Sequence, residues 1–516
     1  MNHKGYIKSV IGGTCLALAC ATLFFSCARG KKRFSGDDMS HHVIITYLTT
    51  GDRPTNGATE KMLKKLNEIL DKKVNAELQL YYIPWSDYLF NYDVTLAQMD
   101  GTLDLVGTAS DWLDAWQNAK NGTFLGMTDE MLKKYAPKTY ASVSAAHWDM
   151  CRMKDKIYLL PEDNYAQWIN HGFMYRMDWA KEAGLSNGVH SWEDLTKYLR
   201  YVKTNKPGVI GWNASGELST YHGDGYIASK SDYVPLEGID SYLMFGVRRS
   251  NLNKIYSPFY EGQELVDYAR LMREWHNIGV WPENVMLNTD ADNRGDFKKG
   301  ISSLEQHHSQ TWYSQLVPAI QKNFPGAECG FFWFGEEAGN VTSMTITHGA
   351  MAISAASKNP ERALMVYDLI RNDPECYRLF NYGIEGVQYT LTKDGYREGI
   401  KDASSISTNY WWGRNDDLEI RDKGVAWDKF EEISAIYDKV KIDYPYPQIV
   451  WSLDNISSEL AAISDVWGQY MGRICYGEET DPEAYVARFR AALKTAGIEK
   501  VISELQNQLD KYNSSR

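Results

Sequence analysis

Cysteine is scarce in this 516-residue chain: there are seven, and three of them (Cys15, Cys20 and Cys27) fall within the first 27 residues. The other four, Cys151, Cys329, Cys376 and Cys475, lie far apart. They form no CxxC pair and fit no Cys/His zinc spacing. They read as mostly buried thiols, with one bridge left open if the compartment is oxidising. Positive charge is in deficit, with 55 Lys and Arg against 67 Asp and Glu, a formal net charge of −12. That excludes nucleic acid as the main partner, because binding many phosphates calls for a basic surface. Beyond the N-terminus no stretch reaches the roughly 18 consecutive apolar residues of a transmembrane helix. HExxH, GxSxG and Walker motifs are missing, as are internal repeats.

Two near-motifs do not hold up chemically. Residues 223–228 fit GxGxxG/A, but no strand precedes them, so a dinucleotide site is not expected. Residues 288–296 look like a calcium loop, yet its sixth position is Asn293 instead of Gly and its twelfth is Lys299 instead of Glu. His41-His42 adjoins the N-terminal tether and reads as solvated. His307-His308 has no helical i, i+4 partner or nearby cysteine for a metal, and is assigned to hydrogen bonding. No metal and no cofactor is expected.

What is present in excess is aromatic. The chain has 17 Trp and 34 Tyr, about one residue in ten. These rings carry a polar tip and often end at a cleft or interface. With 44% hydrophobic residues over this length, two or three packed units are expected rather than one core.

Residues 1–26 have the three parts of an export signal: a positive start (His3, Lys4, Lys8), an apolar run over 10–25, and the small Ser26. The segment resembles a bacterial lipoprotein signal, which implies lipidation of Cys27; Phe24 departs from the Leu preferred there. An ordinary cleaved signal peptide is the alternative. Residues 27–41, with Arg29, Lys31, Lys32 and Arg33, read as a flexible tether.

The body opens with apolar, β-branched runs at 42–48, 76–83 and 103–108, separated by helical periodicity over 59–72 and 85–99. Such β-α-β-α-β order argues for a parallel sheet whose ligand crevice lies at the carboxyl ends of the strands. Ser191 is placed as the N-cap of a following helix, Pro360 at the first position of another, and Gly497 between two closing helices.

Several segments together resemble the solute-binding proteins of bacterial ABC importers: Asn359-Pro360-Glu361-Arg362-Ala363-Leu364, Asp373-Pro374-Glu375, Tyr382-Gly383-Ile384-Glu385-Gly386 and Pro84-Trp85-Ser86-Asp87-Tyr88. The tail over 496–509 resembles the lipoprotein branch that ends in a DUF3502-type domain. The resemblance implies an α/β, two-lobed periplasmic-binding-protein-like fold of type II. Each lobe would be a mainly parallel sheet flanked by helices, with hinge crossings and a helical C-terminal extension. It places lobe 1 at 42–165 plus 305–342, lobe 2 at 170–300 plus 347–440, and the C-terminal segment at 441–516. It further implies a monomeric, non-enzymatic receptor held to the membrane by its N-terminal lipid. That receptor would close on a small solute and present it to permease subunits.

Sugars stack on Trp and Tyr faces, and their hydroxyls need polar partners at the rim. The candidates on strand-end loops and crossings are Trp85, Asp87, Ser110, Trp112, Gln167, Trp168, His171, His307, His308, Trp312, His348, Trp411, Trp412 and Arg414. Trp192 and Trp275 sit inside helix patterns and are assigned to the core. An oligosaccharide is the expected ligand. A peptide ligand, an envelope enzyme acting on glycans and an interaction lipoprotein remain open alternatives. An acidic sugar is a further option, through Arg414 and Arg176.

Overall fold

The computed structural model describes residues 38–514, except 87, 111, 163–169, 215, 217–221, 240–243, 289–291 and 410–412. The first lobe is built on a five-stranded sheet. Val43–Thr50 lies parallel to Ala76–Ile83 on one side and to Leu105–Thr108 on the other. Ala350–Ile353 then pairs antiparallel with Leu105–Thr108, and Leu160–Pro161 closes that edge. Val43–Thr50 is buried over its last six residues, as expected of a strand covered on both faces. The helix Ala58–Val74 lays Met62, Leu66 and Leu70 on the sheet and ends at Asn75, whose φ of 46° is left-handed. Pro360–Asn372 and Pro374–Tyr382 pack beside it.

The second lobe departs from the expected parallel sheet. His171–Arg176 is flanked on both sides by antiparallel strands, Leu304–His308 and Cys329–Trp333. A further sheet of Tyr233–Pro235, Gly246–Arg248 and Asn251–Tyr256 is also antiparallel. An apolar run announces a buried strand but not its direction, which depends on the end at which the chain re-enters the sheet.

Sheet pairing also exchanges the two returning segments. Residues 305–342, expected in the first lobe, belong with the second: Leu304–His308 pairs with His171–Arg176, and Phe332 and Phe334 share a core with Trp192. Residues 350–382, expected in the second lobe, complete the first, where Ala350–Ile353 is wholly buried. The C-terminal helices are not a separate unit either. Ser457–Cys475, Pro482–Thr495 and Ile498–Ser514 place Ile463, Trp467, Phe489 and Leu505 in the same core as Trp192 and Trp275. Ser191 caps its helix as expected, its Oγ accepting from Asp194 N at 3.0 Å. Cys151, Cys329, Cys376 and Cys475 are all buried.

The dinucleotide-like segment lies in a helix, His222–Lys230. A Cβ on Gly225 would run into the Phe334 ring, so packing explains that glycine. In the same helix, Oδ1 of Asp224 is shut off from solvent and has no hydrogen-bond partner among the described residues. Burial pushes its carboxyl well above the ordinary 3.8. The folded state therefore holds a proton that the unfolded chain releases above about pH 4. Stability from this group is full at acid pH and is lost as pH rises toward the folded value. Asp224→Asn is expected to raise the melting temperature by roughly 2 °C at pH 8 and not at pH 4; differential scanning calorimetry at the two pH values checks both signs.

Candidate functional site

Two first-lobe strands deliver an aromatic platform at their carboxyl ends. Trp85 follows Ala76–Ile83, Tyr88 opens the helix Tyr88–Ala97, and Trp112 follows Leu105–Thr108. Trp85 and Trp112 are stacked, with centroids 6.1 Å apart at 26°, and Tyr88 sits edge-on at 5.8 Å from each. Trp85 remains 44% exposed. Large apolar rings held half-open at strand ends offer a face rather than a packed core. The backbone beneath is fixed: Tyr92 Oη donates to Gly107 O at 3.1 Å, and Trp85 N donates to Asp52 Oδ1 at 3.3 Å.

Beside the platform, Ser110 meets the crossing that returns to the first lobe. Ser110 N donates to Thr347 O at 2.9 Å, and Thr347 Oγ1 donates to Ser110 Oγ at 2.9 Å. Thr345 Oγ1 and Thr347 Oγ1 are bonded at 3.1 Å, and half-buried His348 follows.

The second lobe contributes three histidines at the end of its central sheet, where His308 is the register partner of His171. Ring centroids are 4.1 Å apart for His307–His308, 5.7 Å for His171–His307 and 5.8 Å for His171–His308. Gln306 Nε2 lies 2.9 Å from His171 Nδ1, and Thr311 Oγ1 lies 2.9 Å from His307 Nδ1. Thr311 N donates to His308 Nδ1 at 3.3 Å, which leaves Nε2 to carry the His308 proton. Burial, then the neighbouring His308 charge, pushes His171 down to about 4 and His307 to about 3; burial and Arg294 lower His308. The cluster is neutral near pH 7, suited to exchanging hydrogen bonds with hydroxyls. Among the described residues no group of three or more His, Cys, Asp or Glu is arranged to hold a metal ion.

Glu162, at the end of the first lobe, and the crossings at 344–349 and 413–426 are bonded to one another. Glu162 is buried; its N donates to Gly349 O at 2.9 Å, and its carboxylate lies 3.6 Å from Arg414 Nε. Arg371, fully buried, donates to Pro161 O at 2.7 Å and to Tyr367 Oη at 3.0 Å. Asn415 Nδ2 donates to Arg371 O at 3.2 Å. The C-terminal region adds a strap: Trp116 Nε1 donates to Pro447 O at 3.0 Å, and Gln448 Nε2 donates to Asp149 O at 2.9 Å. Between strap and lobes lies a cavity of about 480 Å³, bordered by Ser110, Trp116, Glu237 and Trp451.

The predicted residues thus divide. Trp85, Ser110 and Trp112 come together, with His348 on the adjoining crossing, and His171, His307 and His308 form the second group. Arg414 belongs to the hinge, beside Glu162. Arg176 is bonded to Asp178 at 2.8 and 2.6 Å and faces the rings of Trp179 and Phe324. Neither arginine is set up for an acidic sugar. Trp312 is a core residue: it stacks on Phe331 at 5.2 Å, and its Nε1 donates to Cys329 O. It begins a short helical segment whose inner face is buried, which its nearness to His308 in sequence conceals. Asp87, Gln167, Trp168, Trp411, Trp412 and Cys27 lie outside the described residues. Tyr88 and Trp116 were missed. Tyr88 had a signal, three positions from Trp85 at a helix start; the bonds of the strap join residues some 300 apart in sequence.

Comparison with known proteins yields two matching families. Residues 55–370 match the bacterial extracellular solute-binding protein family, and residues 450–514 match a domain of unknown function, DUF3502. A carbohydrate ABC transporter substrate-binding protein of Streptococcus pneumoniae is 23% identical, the match covering 99% of both chains. The crystal structure of an N-glycan transport solute-binding protein from the same species superposes with a TM-score of 0.71, at 20% identity over 92% of this chain and 99% of that one. The same protein in complex with Man5GlcNAc gives 0.59 over 92% and 99% at 20% identity. An HMO-binding, ABC-transporter-associated solute-binding protein from Bifidobacterium longum infantis gives 0.63, at 15% identity over 91% and 99%.

Proposed function

Because the chain belongs to the bacterial extracellular solute-binding proteins, a family of binding proteins and not of enzymes, we propose that it is the oligosaccharide receptor of an ABC importer. The observation that carries this reading is the Trp85–Tyr88–Trp112 platform, half-open at the strand ends beside Ser110 and the Thr347 crossing. Flat aromatic faces suit the apolar face of a pyranose, and the hydroxyl-bearing rim finds Ser110, His348 and the neutral histidines. The carbohydrate ligands of the related proteins support the same class. Closure proceeds about the bonded crossings, with the two lobes moving as packed bodies. The receptor works as a monomer, tethered outside the membrane through lipid on Cys27, and delivers its solute to permease subunits. That anchor rests on the signal-like segment before Cys27.

Two measurements test the reading. Native mass spectrometry of protein purified without refolding is expected to reveal a retained glycan. A panel of neutral oligosaccharides is expected to include members that raise the melting temperature, since a ligand at a hundred times its Kd adds about 2.7 kcal/mol to the native state. Hydrolysis of any of them at stoichiometric protein, or a panel without a single shift, overturns it.

A further inference from the structure

A second cavity, of about 610 Å³, lies on the other flank of the crossing at 413–426. Its volume falls within the roughly 300–1,000 Å³ of small-molecule sites. Both lobes line it. Tyr313, Trp427 and Phe430 come from the second lobe and form an aromatic cluster, with centroids 5.3 Å apart for Tyr313–Phe430 and 5.8 Å for Trp427–Phe430. Trp427 is held in place by its Nε1, which donates to Asp422 O at 2.9 Å. From the first lobe, Asn409 reaches the same cavity.

Asn409 also connects this cavity to the platform. Its Nδ2 donates to Thr50 O at 2.7 Å, at the end of the first strand. Two residues on, Asp52 accepts from the backbone of Trp85. Asn409 thus ties the wall of the cavity to the loop that carries Asp52 and, through it, to Trp85 of the platform.

The charges of the cavity cancel. Its wall holds three arginines (Arg397, Arg414, Arg421) and three acids (Asp416, Glu419, Asp422). Arg397 is paired with Asp422 at 2.5 Å, Arg421 with Glu431 at 2.7 Å, and Arg414 lies 3.6 Å from Glu162. An anionic sugar would have to displace a carboxylate to bind there. Arg397 Nε is buried and has no hydrogen-bond partner among the described residues. Leaving such a donor unmet is unfavourable, and a hydroxyl would satisfy it without adding charge.

We infer that the binding site extends into this cavity, which takes a neutral saccharide unit, so that the preferred ligand is a neutral oligosaccharide long enough to occupy platform and cavity together. The inference rests on the receptor reading above and narrows its substrate class. Occupancy of a cavity walled by both lobes would also favour their closure.

The test uses the whole protein and size-fractionated neutral oligosaccharides built from hexoses and N-acetylhexosamines, from disaccharide to hexasaccharide, with sialylated fractions alongside. Calorimetric titration is expected to show that Trp427→Ala weakens the longest neutral fraction about tenfold and leaves the disaccharide unchanged. Hydrogen exchange on the wild-type protein provides a readout that needs no variant: long neutral fractions are expected to protect residues 413–430, and disaccharides are not. Equal effects of Trp427→Ala on short and long fractions, or no protection by long ones, overturn the second subsite while the receptor reading stands. Tighter binding of sialylated than of neutral fractions overturns the neutral assignment. Failure of the wild-type protein to bind any fraction overturns the receptor reading itself, and this inference with it.

Discussion

Trp112→Ala lowers affinity for neutral oligosaccharides by about 30- to 1,000-fold and leaves the fold intact; that is the largest binding effect expected of a single substitution. Trp112 touches both other rings of the platform, Trp85 at 6.1 Å and Tyr88 at 5.8 Å. Its removal takes away a sugar-facing surface and also the support that holds Trp85 flat. Central aromatic anchors of this kind cost about 2–4 kcal/mol when truncated, which converts to that range of affinity. Trp112 is half-buried and lies outside the fully enclosed core, so the melting temperature of the ligand-free protein should hardly move. Titration calorimetry with the tightest member of the oligosaccharide panel checks the first part and scanning calorimetry the second. An affinity within threefold of wild type would remove the platform from the binding site. Trp112→Phe keeps a flat ring and should recover much of the loss.

The largest stability effect is expected at Arg371, which has no solvent exposure. Its guanidinium satisfies the Pro161 and Glu162 carbonyls where the chain leaves the first lobe, and it bonds Tyr367 Oη as well. Leucine would fill the space but leave those carbonyls buried without donors. It would also remove the cation from a region that holds the Glu162 carboxylate. Breaking a buried charged network on one side costs about 3–5 kcal/mol. For Arg371→Leu a fall of roughly 10 °C in melting temperature follows, read by scanning calorimetry. Arg371→Lys should rescue only part of it, because a point ammonium cannot reproduce a planar fork of donors. A change of less than about 2 °C in Arg371→Leu would show that the crossing does not depend on this network.

Much of the first lobe could be read directly from the chain. The run at 43–50 is apolar and β-branched, the helix after it repeats every three or four residues, and two further strands follow at the spacing of a parallel sheet. The Trp85 and Trp112 positions followed from that reading, since loops after parallel strands gather at one edge. Trp192 and Trp275 were equally legible, because each falls on the apolar stripe of an amphipathic helix, and both are fully buried. Where local pattern carried no direction, the reading failed. The second-lobe strands run antiparallel, and residues 305–342 and 350–382 are exchanged between the lobes relative to expectation.

Trp312 and Arg414 show why the site itself was only partly legible. In sequence, Trp312 stands four residues from His308 and Arg414 two from Trp412. Yet Trp312 turns inward onto Phe331, and Arg414 lies against Glu162, more than 250 residues away in the chain. The sequence by itself determined the α/β lobes, the acidic balance, the aromatic excess and the strand ends where rings collect, because these depend on local periodicity and composition. Tertiary structure alone decided which lobe each returning segment joins, which rings open to solvent, and which arginines are neutralised. Those depend on contacts between residues far apart in the chain, and on burial, which no local pattern encodes.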